Sequence, residues 1–140
     1  MSRPMPRRRV LLVDDEELIR EVATVSLAKV GGWEVLTASS GEEGLGKAAA
    51  EQPDAILLDV MMPGMNGLEV ARHLRDDPET SDIPIIVVSA KAQESDLNAG
   101  RTAGVDDYVT KPFDPFELLE RVARLLADGS QRPYGSPGEG

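Results

Sequence analysis

ILLDVMMPGMNG (residues 56–67) places one carboxylate, Asp59, at the end of an apolar run and follows it with a Pro-Gly pair. The run 55–58 is typical of a buried strand, and the Pro-Gly pair predicts a turn directly after it. A charged side chain inside such a strand costs several kcal/mol unless it is paired or lies at the strand's exit. We therefore expect Asp59 at the exit of a buried strand, and we treat it as a functional candidate.

The same organisation repeats along the chain. Short apolar runs alternate with longer amphipathic segments, as expected when parallel strands are joined by crossover helices. The predicted strands are 10–13, 33–38, 55–59, 83–88 and 105–110, and the predicted helices are 16–30, 41–51, 66–75, 92–104 and 115–127. This pattern predicts an α/β fold, with a five-stranded doubly wound parallel sheet and five helices in a single domain.

Helix-capping signals support several of these boundaries. Ser40 followed by Glu43 predicts a capping box, Asn66 predicts the start of the third helix, and Asp114 followed by Pro115 predicts the start of the fifth. The fourth helix carries few apolar residues, so we expect it to be weakly anchored and mobile. The fifth helix is expected to bury four apolar side chains: Phe116, Leu119, Val122 and Leu126.

Composition limits the function classes. The 140 residues fit one domain (8–127), with a basic N-terminal extension (1–7) and a Gly/Pro/Ser-rich tail or linker (128–140) expected to be disordered. A net charge of -10 argues against direct binding of nucleic acid. The absence of cysteine excludes disulfides and thiolate metal sites, and no apolar stretch is long enough for a membrane span. We expect a cytoplasmic protein.

Reactive side chains follow four of the five predicted strands. In an open parallel sheet ligands bind beyond the carboxyl ends of the strands, where this sequence places Asp14, Asp15, Asp59, Ser89 and Lys111. Three carboxylates in a small volume repel one another unless a cation neutralises them or some of them are protonated. Ligands that are all oxygen atoms favour a hard cation, and a partly hydrated Mg²⁺ suits a site with few protein ligands.

Four segments carry a resemblance to a known family: VLLVDDEE, ILLDVMMPGMNG, IIVVSA and GVDDYVTKPF. Together they resemble the receiver domain of bacterial response regulators, and the similarity extends over about residues 8–127. The resemblance implies a flavodoxin-like receiver fold that accepts a phosphoryl group on Asp59 from the phosphohistidine of a histidine kinase or phosphotransfer protein. Catalysis of its own phosphorylation and dephosphorylation would then serve a signalling switch.

The resemblance also implies a role for each matching residue. Asp14, Asp15, Asp59 and the backbone carbonyl of Met61 would hold Mg²⁺, while Lys111 and Ser89 would contact the phosphoryl group. Tyr108 would act with Ser89 as a switch residue, although an ordinary half-exposed strand aromatic explains the sequence equally well. The Lys111–Pro112 peptide is cis in this family, whereas the sequence alone predicts trans. Met61 and Lys91 occupy positions similar to those that tune the dephosphorylation rate.

The same residues bear on other function classes. A nucleotide-binding or oxidoreductase domain would need a glycine-rich turn after the first strand, where this chain has Asp-Asp-Glu-Glu. A haloacid-dehalogenase-type phosphatase would need an Asp-x-Asp arrangement there. A receiver-like interaction module that works without phosphorylation remains the alternative. Phosphorylation is expected to switch the face formed by the fourth helix, fifth strand and fifth helix, and to permit homodimerisation, while the downstream effector or output domain stays open.

Overall fold

The structure is a computed structural model that describes residues 8–91 and 93–128. The predicted extension 1–7 and tail residues 129–140 lie outside the described residues. Within the described part of the chain, no helix combines the length and apolar character needed to cross a membrane.

Five parallel strands form one sheet, as predicted. They are β1 (Arg9–Val13), β2 (Glu34–Ala38), β3 (Ala55–Asp59), β4 (Ile85–Ser89) and β5 (Asp107–Thr110), in the spatial order β2-β1-β3-β4-β5. β4 begins two residues later than predicted because the Ile83 N–H donates to Thr80 in a turn and Pro84 has no N–H to donate. β5 also begins later, since the Val105 N–H donates to Gly100 at the end of the preceding helix.

Five helices connect and cover the strands. They are α1 (Glu17–Val25), α2 (Gly41–Glu51), α3 (Gly67–Asp76), α4 (Glu94–Ala103) and α5 (Pro115–Asp128). The predicted first helix continues beyond α1 as a π-helical turn, Ser26–Val30. α5 includes Asp128, which the sequence assigned to the tail.

Alternate residues of the central strands feed two separate cores, which is why these strands are apolar throughout. One face carries Leu11, Ile56, Leu58, Ile85 and Val87 against α2, α3 and α4. The opposite face carries Val10, Leu12, Leu57, Ile86 and Val88 against α1 and α5. The doubly wound prediction is therefore confirmed.

The buried face of α5 differs from the predicted one. Phe116 is 71% exposed, so the prediction that it is buried was wrong, and Leu119 is only half-buried. The buried side chains are Leu118, Val122, Leu125 and Leu126. Positions 118, 122 and 125 repeat at helical spacing on one stripe, and residue 116, in the first turn, lies off this stripe.

The helix caps at α2 and α3 form as predicted, except for one hydrogen-bond partner. Asn66 and Glu69 form a complete capping box at the start of α3. At α2 the Ser40 hydroxyl accepts from the Glu43 N–H as predicted, but the Glu43 carboxylate accepts from the backbone and hydroxyl of Ser39. The second half of this box is therefore displaced by one residue, because Ser39 offers two donors.

Two glycines give a matched test of the turn that follows β3. A Cβ on Gly67 would lie 2.2 Å from the backbone oxygen of Asp59, whereas a Cβ on Gly46 in α2 would meet open space. We expect Gly67→Ala to lower the free energy of unfolding by about 2 kcal/mol or more. Gly46→Ala should raise it by up to about 1 kcal/mol, since alanine is the better helix former. Urea unfolding measures both, and a Gly67→Ala protein as stable as the parent would contradict the close approach.

Candidate functional site

The strand ends bring the predicted residues to one edge of the sheet. Asp59 ends β3 and Ser89 ends β4, while Asp14 follows β1 and Lys111 follows β5. The parallel register pairs Val13 with Leu58, Asp59 with Val88, and Ser89 with Thr110, so the four strand ends lie side by side. The shared edge predicted from sequence is therefore present.

Three carboxylates gather at this edge. Asp14, Asp15 and Asp59 each offer an oxygen, and these oxygens all lie within 4.8 Å of one another. Asp14 and Asp59 are buried, whereas Asp15 is exposed and opens the cluster to solvent. An oxygen-only, negatively charged cluster with one open side fits a hard divalent cation such as Mg²⁺.

Lys111 supplies the positive charge of the cluster. Its Nζ lies 2.9 Å from Asp14 Oδ2, 3.2 Å from Glu16 Oε1 and 3.5 Å from Asp59 Oδ2. The contact with Glu16 was not predicted. The acidic run after β1 was visible in the sequence, but spacing alone does not show which of its carboxylates reaches a lysine 95 residues away.

The cluster shifts the pKa values of Asp59 and Lys111. Burial, reinforced by the charge of Asp14, raises the pKa of Asp59 from 3.8 to about 6, although Lys111 and the Met61 N–H act in the opposite direction. Burial lowers the pKa of Lys111, but its hydrogen bond to Asp14 and the charges of Asp14 and Asp59 outweigh burial and raise it above its ordinary value. Lys111 is therefore a permanent cation here, and Asp59 is a carboxylate whose charge is costly.

Ser89 and Tyr108 lie next to the carboxylate cluster in the fold. Ser89 is fully buried, and its Oγ accepts a hydrogen bond from the Lys91 N–H at 3.2 Å. Tyr108 is also buried, not half-exposed, and its hydroxyl donates to the Lys91 carbonyl. Burial raises the pKa of the Tyr108 hydroxyl, and the charges of Asp96 and Asp59 add to that effect, against a hydrogen bond with Ser89.

Two further features concern the loops around the site. The Lys111–Pro112 peptide is cis, as the resemblance implied and contrary to the expectation from sequence alone.

Met61 and Lys91 line the same open groove of about 470 Å³. Met61 is half-exposed, and its N–H lies 3.3 Å from Asp59 Oδ1. The metal-binding role of the Met61 carbonyl stays a prediction.

The raised pKa of Asp59 makes a stability prediction for the metal-free protein. Because its pKa in the folded state, about 6, lies above its ordinary value of 3.8, the charge of Asp59 opposes folding above pH 6 and does not below about pH 3.8. We expect Asp59→Asn to raise the free energy of unfolding by about 2 kcal/mol at pH 7.5, with the gain shrinking toward pH 4. Urea unfolding in EDTA measures this, with the exposed Asp82→Asn as control. A lower free energy of unfolding for Asp59→Asn at pH 7.5 would show that the charge of Asp59 does not oppose folding.

Two proteins of known sequence are similar to this chain over most of its length. The chain is 43% identical over 122 residues to the phosphate regulon transcriptional regulatory protein PhoB of Pseudomonas aeruginosa, covering 87% of this chain and 53% of PhoB. It is also 43% identical over 119 residues to protein PilH of the same organism, covering 85% of this chain and 98% of PilH. The chain thus spans about half the length of PhoB and nearly all of PilH.

Solved structures agree with the fold. A putative response regulator from Chloroflexus aurantiacus superposes with a TM-score of 0.82 at 38% identity, covering 87% of this chain and 99% of that one. The chemotaxis protein CheY4 of Vibrio cholerae gives a TM-score of 0.81 at 33% identity, covering 85% and 98% of the two chains.

The family model described as "Response regulator receiver domain" matches residues 10–123. That range contains the whole acidic cluster, Ser89, Tyr108 and Lys111. The chain therefore belongs to the response regulator receiver domain family.

Proposed function

We propose that this chain is a phosphorylation-activated signalling receiver that accepts a phosphoryl group on Asp59 from the phosphohistidine of a histidine kinase. The observation that carries the proposal is the position of the Asp59 carboxylate, in a cluster with Asp14 and Asp15 and 3.5 Å from the ammonium of Lys111. A carboxylate that attacks an anionic phosphoryl group needs nearby positive charge more than it needs a base.

Mg²⁺ is the proposed cofactor of the reaction. Asp14, Asp15 and Asp59 would hold it, with the Met61 carbonyl as a further ligand. When bound, the ion neutralises the repulsion between the carboxylates and the oxygens of the phosphoryl group. The solvent-exposed Asp15 leaves the cluster accessible for an ion to enter.

Asp59, Lys111 and Ser89 would each have a separate role in the transfer of the phosphoryl group. An Asp59 carboxylate oxygen forms a bond to phosphorus as the bond from phosphorus to the histidine nitrogen breaks, and the electron pair of that bond stays on the imidazole of the kinase. Lys111 would pair with one phosphoryl oxygen as a charged donor. The Ser89 hydroxyl would donate to a second oxygen once Asp59 is modified.

The proposed switch links Ser89 and Tyr108 to α4 through Lys91. Ser89 accepts from the Lys91 N–H, and Tyr108 donates to the carbonyl of the same residue, which lies in the segment that leads into α4. Movement of Ser89 toward a phosphoryl group would disturb both hydrogen bonds. α4 buries only two small residues completely, Gly100 and Ala103, which supports a shift of α4 against β5 and α5 at small cost.

A kinase partner is supported by exposed apolar side chains close to the site in sequence. Leu18, Val22 and Val25 repeat along the exposed face of α1, which begins directly after the Asp14–Asp15 turn. Phe116 is exposed at the start of α5, after the Lys111 loop. Apolar side chains exposed beside a reactive centre are typical of a protein-docking surface.

Further parts of the proposal concern location and output. We propose the cytoplasm, where a histidine kinase can draw on ATP. The net charge of -10 argues against output through direct contact with nucleic acid. We propose output through protein contacts, including homodimerisation on phosphorylation through the face of α4, β5 and α5. An interaction module that works without phosphorylation is the second candidate, and it would not need the charge cluster around Asp59.

Phosphorylation of Asp59 can be tested without the kinase. We expect incubation with acetyl phosphate and Mg²⁺ to add the mass of one phosphoryl group, measured by intact-protein mass spectrometry. Asp59→Asn should abolish the added mass because an amide cannot form the acyl phosphate, and EDTA should prevent it in the parent protein. Asp82→Asn should react like the parent. Normal uptake of phosphate by Asp59→Asn would refute the nucleophile, and no uptake by the parent would favour the second candidate.

The lifetime of the phosphorylated state depends on whether a side chain can align an attacking water. Met61 has no strong hydrogen-bonding group, and Lys91 has donors but no acceptor, so neither of these two side chains can orient a water as a base would. The polar residues Asn66 and Asp96 that also line the groove are engaged in helix capping boxes. We expect Met61→Asn with Lys91→Glu to shorten the lifetime about tenfold, equivalent to roughly 1.4 kcal/mol in the barrier. The control, Met61→Leu with Lys91→Arg, keeps the polarity and should keep the lifetime. Phosphate release in Mg²⁺ measures both, and an unchanged or longer lifetime in the Asn/Glu protein would refute the idea.

A further inference from the structure

We propose that Glu16 is a positioning residue that competes with the phosphoryl group for Lys111. In the unphosphorylated protein the Glu16 carboxylate holds a donor of Lys111 that a phosphoryl oxygen must take over. This inference rests on the proposed function, and it adds to it a residue that tunes how readily the site accepts an anionic donor.

Three carboxylates surround the Lys111 ammonium group, which donates hydrogen bonds to Asp14 and Glu16. An ammonium group has three N–H donors, and three carboxylates lie within ion-pair distance of it: Asp14 at 2.9 Å, Glu16 at 3.2 Å and Asp59 at 3.5 Å. The Lys111 side chain is only 12% exposed, so little space remains for a fourth partner. We infer that a phosphoryl oxygen binding Lys111 displaces one of these carboxylates.

Glu16 is the partner that can leave at the smallest cost. The side chains of Asp14 and Asp59 are almost completely buried, and a carboxylate that loses its cation while buried pays a large desolvation penalty. The Glu16 side chain is 59% exposed, so its carboxylate can turn into water. An ion pair with such an exposed partner contributes little to stability.

The backbone keeps Glu16 close to Lys111 until it is displaced. The Glu16 N–H donates to Asp14 Oδ1 at 2.8 Å, and its carbonyl accepts the Arg20 N–H at 3.1 Å. The Arg20 guanidinium also donates to the Asp14 carbonyl at 2.6 Å. The turn between β1 and α1 is thus held at both ends, and only the side chain of Glu16 needs to move.

The chain offers a matched control at the next position. Glu17 is also exposed and begins α1, but its side chain lines the groove formed with Arg20, Thr24 and Val35. Glu16→Gln and Glu17→Gln remove the same charge from the same surface, and only the first removes a charge that contacts Lys111. Comparison of the two separates the contact from the net charge.

Two measurements test the proposal. The first is the rate of phosphorylation against acetyl phosphate concentration in Mg²⁺: Glu16→Gln should lower the half-saturating concentration about threefold with little change in the maximal rate, a size typical of an exposed ion pair. The second is sulfate binding without Mg²⁺, followed at the Lys111 backbone amide by NMR at constant ionic strength. Glu16→Gln should bind sulfate about threefold more tightly, and Glu17→Gln should match the parent in both measurements.

The outcomes distinguish this inference from the proposed function. Equal behaviour of the two variants would overturn the role of Glu16 and leave the function intact. A lower maximal rate in Glu16→Gln with unchanged sulfate affinity would also overturn it, since Glu16 would then support the site. A parent protein that is never phosphorylated would overturn the proposed function, while the sulfate titration would still decide whether Glu16 competes for Lys111.

Discussion

Repulsion among carboxylates at one edge of the sheet, balanced by the single ammonium of Lys111, is the constraint on which the site depends. Asp14, Asp15 and Asp59 lie close enough to share one cation, and Lys111 contacts two of them directly. The balance is incomplete, because burial and the neighbouring Asp14 still raise the pKa of Asp59 to about 6. A site with this excess of negative charge fits a divalent cation, and the proposed phosphorylation of Asp59 would change its charge.

The rest of the fold holds that unfavourable arrangement in place. The central strands are buried on both faces, so the strand ends cannot separate without exposing two cores. Gly67 lets the turn after β3 pack directly on the backbone of Asp59, where a larger residue would collide. Packing on both faces of the sheet thus stabilises the charged edge that, on its own, would destabilise the domain.

The sheet edge that carries the site contains both buried and exposed residues. Asp14, Asp59 and Ser89 are buried and end or follow well-packed strands, whereas the Glu16 side chain and the first two residues of α4 are exposed. The proposed chemistry uses this division: the nucleophile and its cation stay in position, an exposed glutamate yields to the incoming group, and a weakly anchored helix responds through Lys91 and Tyr108.

The sequence by itself determined the order of elements, the doubly wound sheet and the placement of Asp14, Asp59, Ser89 and Lys111 at one edge. These depend on local apolar runs, on caps such as Asn66, and on the rule that parallel strands share their carboxyl ends. Only the tertiary structure decided that Phe116 is exposed, that the Lys111–Pro112 peptide is cis, and that Glu16 reaches Lys111. Each of these depends on which groups meet in space, and the local sequence pattern carries no information about the partner.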